Sequence, residues 1–351
     1  MTDRRLMHGN GAIAEAAVRA GCRFAAGYPL TPATEILEYL SGRMPEVGGV
    51  CVQAESELAA INMVYGAAAS GARAMTPTSG LGLSLMQEAL SQMCAVELPG
   101  VVVDMARMGP GLGTLSPTQA DYFLATRGTG HGDGRAIVLA PSTVQEAADM
   151  TIAAFDLADR YRNPVLLLGD ALLAQVMEPV QFPPMRDQPA SPSWSLPGWH
   201  GGTANLIGEY RQDLESVEES IRKLECKYST IEAQETRAQA FESADAEILV
   251  VAFGTAARVA TEAVREARAA GLRVGLFRPL TLWPFPRREL QEAAHGVRAV
   301  LVPEMNLGQM IEDVRLSLDS RLEIVPLNRR VGAFAPEEIR IALQRLLEGR
   351  S

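Results

Sequence analysis

The sequence predicts two α/β domains, each built on a mostly parallel sheet with helices on both faces. Three observations carry this expectation. Apolar runs such as Val101-Val102-Val103, Ala136-Ile137-Val138-Leu139 and Val165-Leu166-Leu167-Leu168 are continuous, not alternating, as strands buried on both faces require. Helical stretches separate these runs. At 351 residues the chain also exceeds the usual span of one hydrophobic core, so a second core is expected.

Taken in order, residues 1–180 form the first domain, with strands expected at 24–28, 101–105, 136–139 and 165–168. Residues 181–243 are a linker and helical excursion. There Pro183-Pro184, Pro189, Pro192, Pro197 and the Gly201-Gly202 pair break regular structure before a charged helix at 214–240. Residues 244–351 make a smaller domain, with strands at 247–253, 273–277 and 299–303, helices at 256–270 and 287–294, and two further elements at 322–326 and 336–347.

An apolar share of 47% with 21% charged residues fits a packed globular protein and excludes disorder over most of the length. The balance of 32 basic and 42 acidic residues gives −10, and no stretch concentrates Lys and Arg enough to follow a phosphate backbone. Nucleic acid is therefore not an expected partner. The N-terminus lacks the apolar core of a signal peptide, and no window approaches about 18 uncharged apolar residues, so the expected location is cytoplasmic. Cys22, Cys51, Cys94 and Cys226 are too scattered for a zinc or iron–sulfur cage, so any electron carrier comes from elsewhere.

Ligands of open α/β sheets collect at the carboxyl ends of strands, which directs attention to three places. In Gly27-Tyr28-Pro29-Leu30-Thr31-Pro32, two prolines fix the backbone and leave the Thr31 hydroxyl between them. Thr31 can cap the helix expected at 33–40, face a ligand, or do both. In the helix that follows Gln53, Glu57 shares a face with Ala60, Ile61, Val64 and Ala68, whereas Glu55 shares one with Leu58, Ala59, Asn62 and Gly66. Both carboxylates could simply favour the helix N-terminus. The apolar stripe marks Glu57 as the buried one, where desolvation would raise its pKa and let it share a proton. Arg107 ends an apolar strand ahead of Gly109-Pro110-Gly111-Leu112-Gly113-Thr114, and its fork can bind a carboxylate with two parallel hydrogen bonds. The bland alternative for Arg107 is a surface salt bridge.

Gly132-Asp133-Gly134, with Asn163 further on, imitates a diphosphate–magnesium motif, but it precedes a strand and lacks a second asparagine, so it reads as a turn. No clustered oxygen cage for magnesium is evident.

The ordered set of segments resembles the α-type subunit of 2-oxoacid:ferredoxin oxidoreductases, the pyruvate, 2-oxoglutarate and branched-chain enzymes. It comprises Gly9-Asn10, the Tyr28-Pro29-Leu30-Thr31-Pro32 loop, the Glu57 helix, Arg107-Met108-Gly109-Pro110, Gly130-His131-Gly132-Asp133, Leu139-Ala140-Pro141-Ser142 and Arg162-Asn163-Pro164-Val165. Phe277-Arg278-Pro279-Leu280-Thr281-Leu282-Trp283-Pro284 and Glu304-Met305-Asn306-Leu307-Gly308-Gln309 continue it. The resemblance implies a thiamine diphosphate pyrimidine-binding-type domain followed by a transketolase C-terminal-like domain. It also implies oxidative decarboxylation of a 2-oxoacid with coenzyme A to acyl-CoA, CO2 and reduced ferredoxin. Thiamine diphosphate would be shared with a partner β subunit that holds its diphosphate, Mg2+ and a [4Fe-4S] cluster. Ferredoxin is the expected acceptor, and γ and ferredoxin-like δ subunits are further partners that the resemblance allows.

By the same resemblance, Glu57 would hydrogen-bond the pyrimidine nitrogen and favour its imino tautomer. Tyr28, Pro29 and Thr31 would lie against the cofactor, and Thr31 and Arg107 would face the substrate. Two departures bear on substrate identity. Gly11 stands where many relatives carry an acid, and the loop Gly111-Leu112-Gly113-Thr114-Leu115-Ser116 differs from the usual serine-threonine-glycine sequence. A β-type subunit of a lipoyl-linked thiamine-dependent dehydrogenase shares the two-domain plan but lacks the Tyr-Pro-x-Thr-Pro loop. A non-catalytic scaffolding paralogue is the other alternative.

Overall fold

The computed structural model describes residues 4–187, 191–196, 198, 205–208 and 213–349. Pro189, Pro197, Gly201 and Gly202, expected to break regular structure, lie outside these. The N-terminal part runs β1 (Arg4–His8), α1 (Gly9–Arg19), β2 (Phe24–Gly27), α2 (Thr34–Glu46), β3 (Val50–Gln53), α3 (Glu57–Ala69), β4 (Ala74–Thr78), α4 (Gly80–Ala95) and β5 (Gly100–Ala106). It continues through α5 (Tyr122–Arg127), β6 (Ile137–Leu139), α6 (Val144–Tyr161), β7 (Pro164–Asp170), α7 (Ala171–Gln175) and β8 (Met177–Gln181). The remainder is α8 (Leu214–Gln234), β9 (Ala238–Phe241), β10 (Ile248–Val251), α9 (Gly254–Ala269), β11 (Val274–Pro279), β12 (Thr281–Trp283), α10 (Arg287–Ala293), β13 (Ala299–Glu304), α11 (Met310–Ser317), β14 (Glu323–Asn328) and α12 (Pro336–Leu347).

The larger sheet has the order β12-β6-β7-β5-β4-β2-β3, parallel except for β12. Every residue of β4, β5, β6 and β7 is buried, which explains the continuous apolar runs in β5, β6 and β7. All of α1 is buried too, and this includes a charge. Burial alone would raise the Glu15 carboxyl. Hydrogen bonds from Arg19, Tyr39 and Arg43 outweigh that and hold it below the usual range.

The second sheet has the order β14-β13-β10-β11-β9, with only β9 antiparallel. Against it α9 and α12 pack Ala260, Ala263, Val264, Ile339 and Leu343. The sheets do not respect the chain order expected from composition. Strand β9 lies in the stretch read as linker yet joins the second sheet, and the charged helix stops at Gln234 to allow this. Strand β12 lies in the second half of the sequence yet completes the first sheet by pairing with β6. Arg278, between these elements, reaches Glu146 of α6 at 2.7 Å. An antiparallel β1–β8 ribbon, which carries no clear periodicity, was not anticipated.

Candidate active site

Parallel pairing of β2, β4 and β5 brings their carboxyl ends to one edge, so Tyr28, Ser79 and Arg107 begin the loops there. Arg107 crosses to the loop after β2, donating from Nη1 to the carbonyl of Thr31 at 2.9 Å. Its Nε is buried with no partner among the described residues, so half of the guanidinium fork remains available. The loop that Arg107 opens folds on itself. Met108 N donates to the Ser116 carbonyl, Thr114 N donates to the Met108 carbonyl, and Gly111 and Gly113 take positive φ.

Thr31 does not cap the following helix. Helix α2 starts three residues later, at Thr34, with Ala33 in the N-cap position and no side-chain capping bond. The reason is local, since Leu30 and Ala33 already close a backbone turn and Arg107 takes the Thr31 carbonyl. The Thr31 side chain is exposed, as is Tyr28, while Pro29 is half-buried and borders a cavity of about 300 Å3 with Leu37, Cys51 and Gln53.

Glu57 is the first residue of α3, capped by Ser56, whose hydroxyl accepts from Ala59 N at 3.2 Å. The apolar stripe behaves as its spacing requires. Ala60, Ile61, Val64 and Ala68 are fully buried and Glu57 is 7% exposed, whereas Glu55, expected to share a helical face with Leu58, Ala59, Asn62 and Gly66, is exposed in the turn ahead of the helix, because Ser56 caps α3 after it. No hydrogen bond to the Glu57 carboxyl is formed among the described residues. Its side chain instead rests on Gly82, where a Cβ would meet Thr78 Oγ1 at 2.1 Å, Glu57 Cγ at 2.5 Å and Glu57 Oε1 at 2.8 Å. A glycine in the first turn of α4 is therefore a condition for this carboxyl's position.

The turn at Gly132-Asp133-Gly134 is a turn here as well, with Gly132 at φ 71°. Asn163 is committed to backbone, donating to the carbonyls of Arg135 and Pro164. Among the described residues no three His, Cys, Asp or Glu side chains come together as a metal cage. Cys22 and Cys94 are buried thiols pushed up by desolvation to about 12 and about 11, which makes them poor ligands or nucleophiles.

Sequence reasoning missed four contributors. Asn10, fully buried, donates to the Pro32 carbonyl at 2.6 Å and to Glu35 at 2.8 Å, and so fixes the far side of the Thr31 loop. Gly82 was missed because its role depends on a helix crossing. Asp104, fully buried, and Asp121, half-buried with its Oδ2 covered, are carboxyls near the same strand ends. A lone charge inside the apolar run 101–105 was a visible signal for Asp104.

Residues 15–200 match the family described as pyruvate flavodoxin/ferredoxin oxidoreductase, thiamine diphosphate-binding, and residues 246–339 match pyruvate:ferredoxin oxidoreductase core domain II. The ketoisovalerate oxidoreductase subunit VorB of Methanothermobacter marburgensis is 46% identical over 345 residues, covering 98% of this chain and 97% of the relative. The chain belongs to the 2-oxoacid:ferredoxin oxidoreductase family. The 2-oxoglutarate synthase subunit KorA of the same organism is 36% identical, covering 97% of this chain and 98% of the relative. Among solved structures, the 2-oxoglutarate:ferredoxin oxidoreductase from Magnetococcus marinus, with 2-oxoglutarate, coenzyme A and succinyl-CoA bound, superposes with a TM-score of 0.87 at 29% identity. That match covers 98% of this chain, which spans 65% of the length of the solved relative. A split-gene transketolase, at 14% identity and a TM-score of 0.62, shares the fold over 98% of both chains. In this family the chain corresponds to a subunit, which agrees with a site built along one open edge. Among the described helices none is long and apolar enough to cross a membrane.

Proposed function

We propose that the chain is the α-type subunit of a thiamine diphosphate-dependent 2-oxoacid:ferredoxin oxidoreductase. With a β subunit it converts a 2-oxoacid and coenzyme A to acyl-CoA, CO2 and reduced ferredoxin. The observation that carries this reading is Glu57. A carboxyl 7% exposed, resting on Gly82 and lacking a hydrogen-bond partner among the described residues, is shaped to share a proton with a ligand nitrogen. Thiamine diphosphate, when bound, supplies the carbon nucleophile and the electron sink that decarboxylation needs. Glu57 would hold the proton at the pyrimidine nitrogen, while Tyr28, Pro29 and Thr31 border the ring. Arg107, with Nε unclaimed, would orient the substrate carboxylate, and the Thr31 hydroxyl its oxo group.

Mg2+ and a [4Fe-4S] cluster belong to the β subunit in this reading, which is supported by the scattered cysteines and the unclustered carboxylates among the described residues. The substrate is a branched-chain 2-oxoacid. Identity is 46% to a ketoisovalerate subunit against 36% to a 2-oxoglutarate subunit, and the Arg107 loop presents Leu112 and Leu115 to solvent.

The test is co-expression with the products of neighbouring genes, followed by viologen reduction with a panel of 2-oxoacids. Ketoisovalerate should turn over faster than 2-oxoglutarate or pyruvate. A preference for 2-oxoglutarate overturns the substrate, and turnover by the isolated chain, or a brown iron–sulfur chromophore in it, overturns the subunit reading.

A further inference from the structure

The loop that carries Arg107 leaves β5 after Ala106, two residues past Asp104, and returns to the body at Asp121, immediately before α5. Asp104 is in register with Thr78 of β4 and fully buried, and neither of its oxygens has a hydrogen-bond partner among the described residues. Asp121 Oδ2 is buried and unpartnered as well, and its carboxyl lies on the start of α4, where a Cβ at Gly80 would come within 2.6 Å of Oδ2. A fully buried Asp104 with no hydrogen bond among the described residues is costly to keep ionised beside a second, half-buried carboxylate without a cation.

Among the described residues no cation pairs with either carboxyl. Strand β4 offers only the hydroxyls of Thr76 and Thr78, β7 pairs Leu168 with Asp104, and α4 offers Gly80 and the unpartnered hydroxyl of the adjoining Ser79. From α3, Glu57 approaches only through Gly82 and Thr78, and Arg107 turns its Nη1 to Thr31. Tyr122 of α5 is committed to Asp313. The charge that bears on Asp104 is that of Asp121.

We propose that Asp104 and Asp121 share one proton and thereby clasp the two ends of the Arg107 loop, making them positioning residues for substrate binding. The other anchor of that loop is Gln119, which donates from Nε2 to the Phe253 carbonyl at 2.7 Å and accepts from Met305 N at 3.0 Å. The second domain thus holds one side of the loop, and the acid pair holds the side nearest Glu57.

Burial pushes Asp104 well above the usual carboxylate range, with the Asp121 charge adding to it, and burial pushes Asp121 up to about 6. Both shifts favour a pair that keeps a proton over one with two bare carboxylates. Both folded values lie above those of an unfolded carboxyl. The stability they contribute is fully present below the unfolded value of about 4 and is lost as pH rises through the folded values, when two bare carboxylates repel.

Two measurements on the full chain test the clasp, and neither needs catalysis, so the pair can fail separately from the reading of Arg107 on which its meaning rests. In infrared difference spectra at neutral pH, the protonated carboxyl band of the wild type should vanish in Asp104→Asn. Amide hydrogen exchange across 108–118, corrected for its intrinsic pH dependence, should accelerate in the wild type as pH rises above neutral. It should stay flat in Asp104→Asn, which keeps a neutral donor. Asp104→Leu should exchange about tenfold faster at neutral pH, the size of one charge-assisted hydrogen bond lost. If the leucine variant does not fold, the wild-type and asparagine series decide alone. An unchanged infrared band, or a wild-type loop whose exchange is flat with pH, overturns the proposal.

Discussion

Two buried acids stand at the carboxyl ends of parallel strands in this protein, and they are treated in opposite ways. Glu304, at the end of β13, accepts from Gln309 N, Met310 N and Asn306 Nδ2 at Oε2 and from Ile311 N at Oε1, all within 3.2 Å, so both oxygens of the carboxylate are engaged. Burial still raises it, but the four donors work against that shift. Glu57, at the edge of the first sheet, has none of this. The same residue type in the same kind of place is therefore structural in one domain, where the backbone of 309–311 closes over it. In the other it is left open, since the first turn of α4 supplies a glycine surface and no donors. A buried carboxyl's role follows from whether its hydrogen bonds are already spent.

The largest test of this contrast is Glu57→Gln in the assembled complex. Turnover should fall about 10²–10⁴-fold, the usual worth of a general acid–base group, with hydrogen–deuterium exchange at C2 of bound thiamine diphosphate slowed in parallel. Glu55→Gln should change neither, and equal exchange in wild type and Glu57→Gln would sink the distinction. Arg107→Lys keeps charge but loses the fork, so KM for the 2-oxoacid should rise roughly ten- to a hundredfold while thiamine diphosphate affinity holds. An unchanged KM makes Arg107 structural. Gly82→Ala should then lower turnover about tenfold, because the new methyl overlaps Thr78 and Glu57 and the strain is about 1–3 kcal/mol. Crystal contacts of the shifted carboxyl, or its unmoved position, would read this directly. On the other side of the comparison, Glu304→Gln should lower stability by about 1–3 kcal/mol, seen as a reduced Tm, and leave turnover per folded complex unchanged. A catalytic defect there would erase the difference between the two acids.

Much of this was legible in the residues themselves. The burial of Glu57 follows from helical spacing, because α3 keeps one register from Glu57 to Ala69 and its apolar stripe is buried, whereas Glu55 is exposed because it precedes the Ser56 cap and lies outside the helix. The strand before Arg107 was equally plain, being apolar except for one residue. That exception, Asp104, was informative and passed over, since a charge inside a fully buried strand has to be neutralised or paired. The capping role open to Thr31 did not materialise because a turn from Leu30 to Ala33 delays the helix, which residue preference cannot foresee. Asn10, Gly80 and Gly82 act through contacts between elements far apart in sequence, and no local pattern encodes such approaches. The three-residue strand β12 is too short to show a period, and its partner lies in the other half of the chain.

That strand also orders events during synthesis. Until Trp283 has left the ribosome, the β6 edge of the first sheet has no native neighbour, although every other strand of that sheet was made long before. An uncovered edge is a template for another chain, so the nascent protein is most prone to wrong pairing during this interval. Protection arrives when Thr281 and Trp283 dock and Trp283 sets its ring edge-to-face with Tyr228 of α8, 5.4 Å between centroids. A gene cut after β8 would release a sheet whose last strand is encoded on the other fragment.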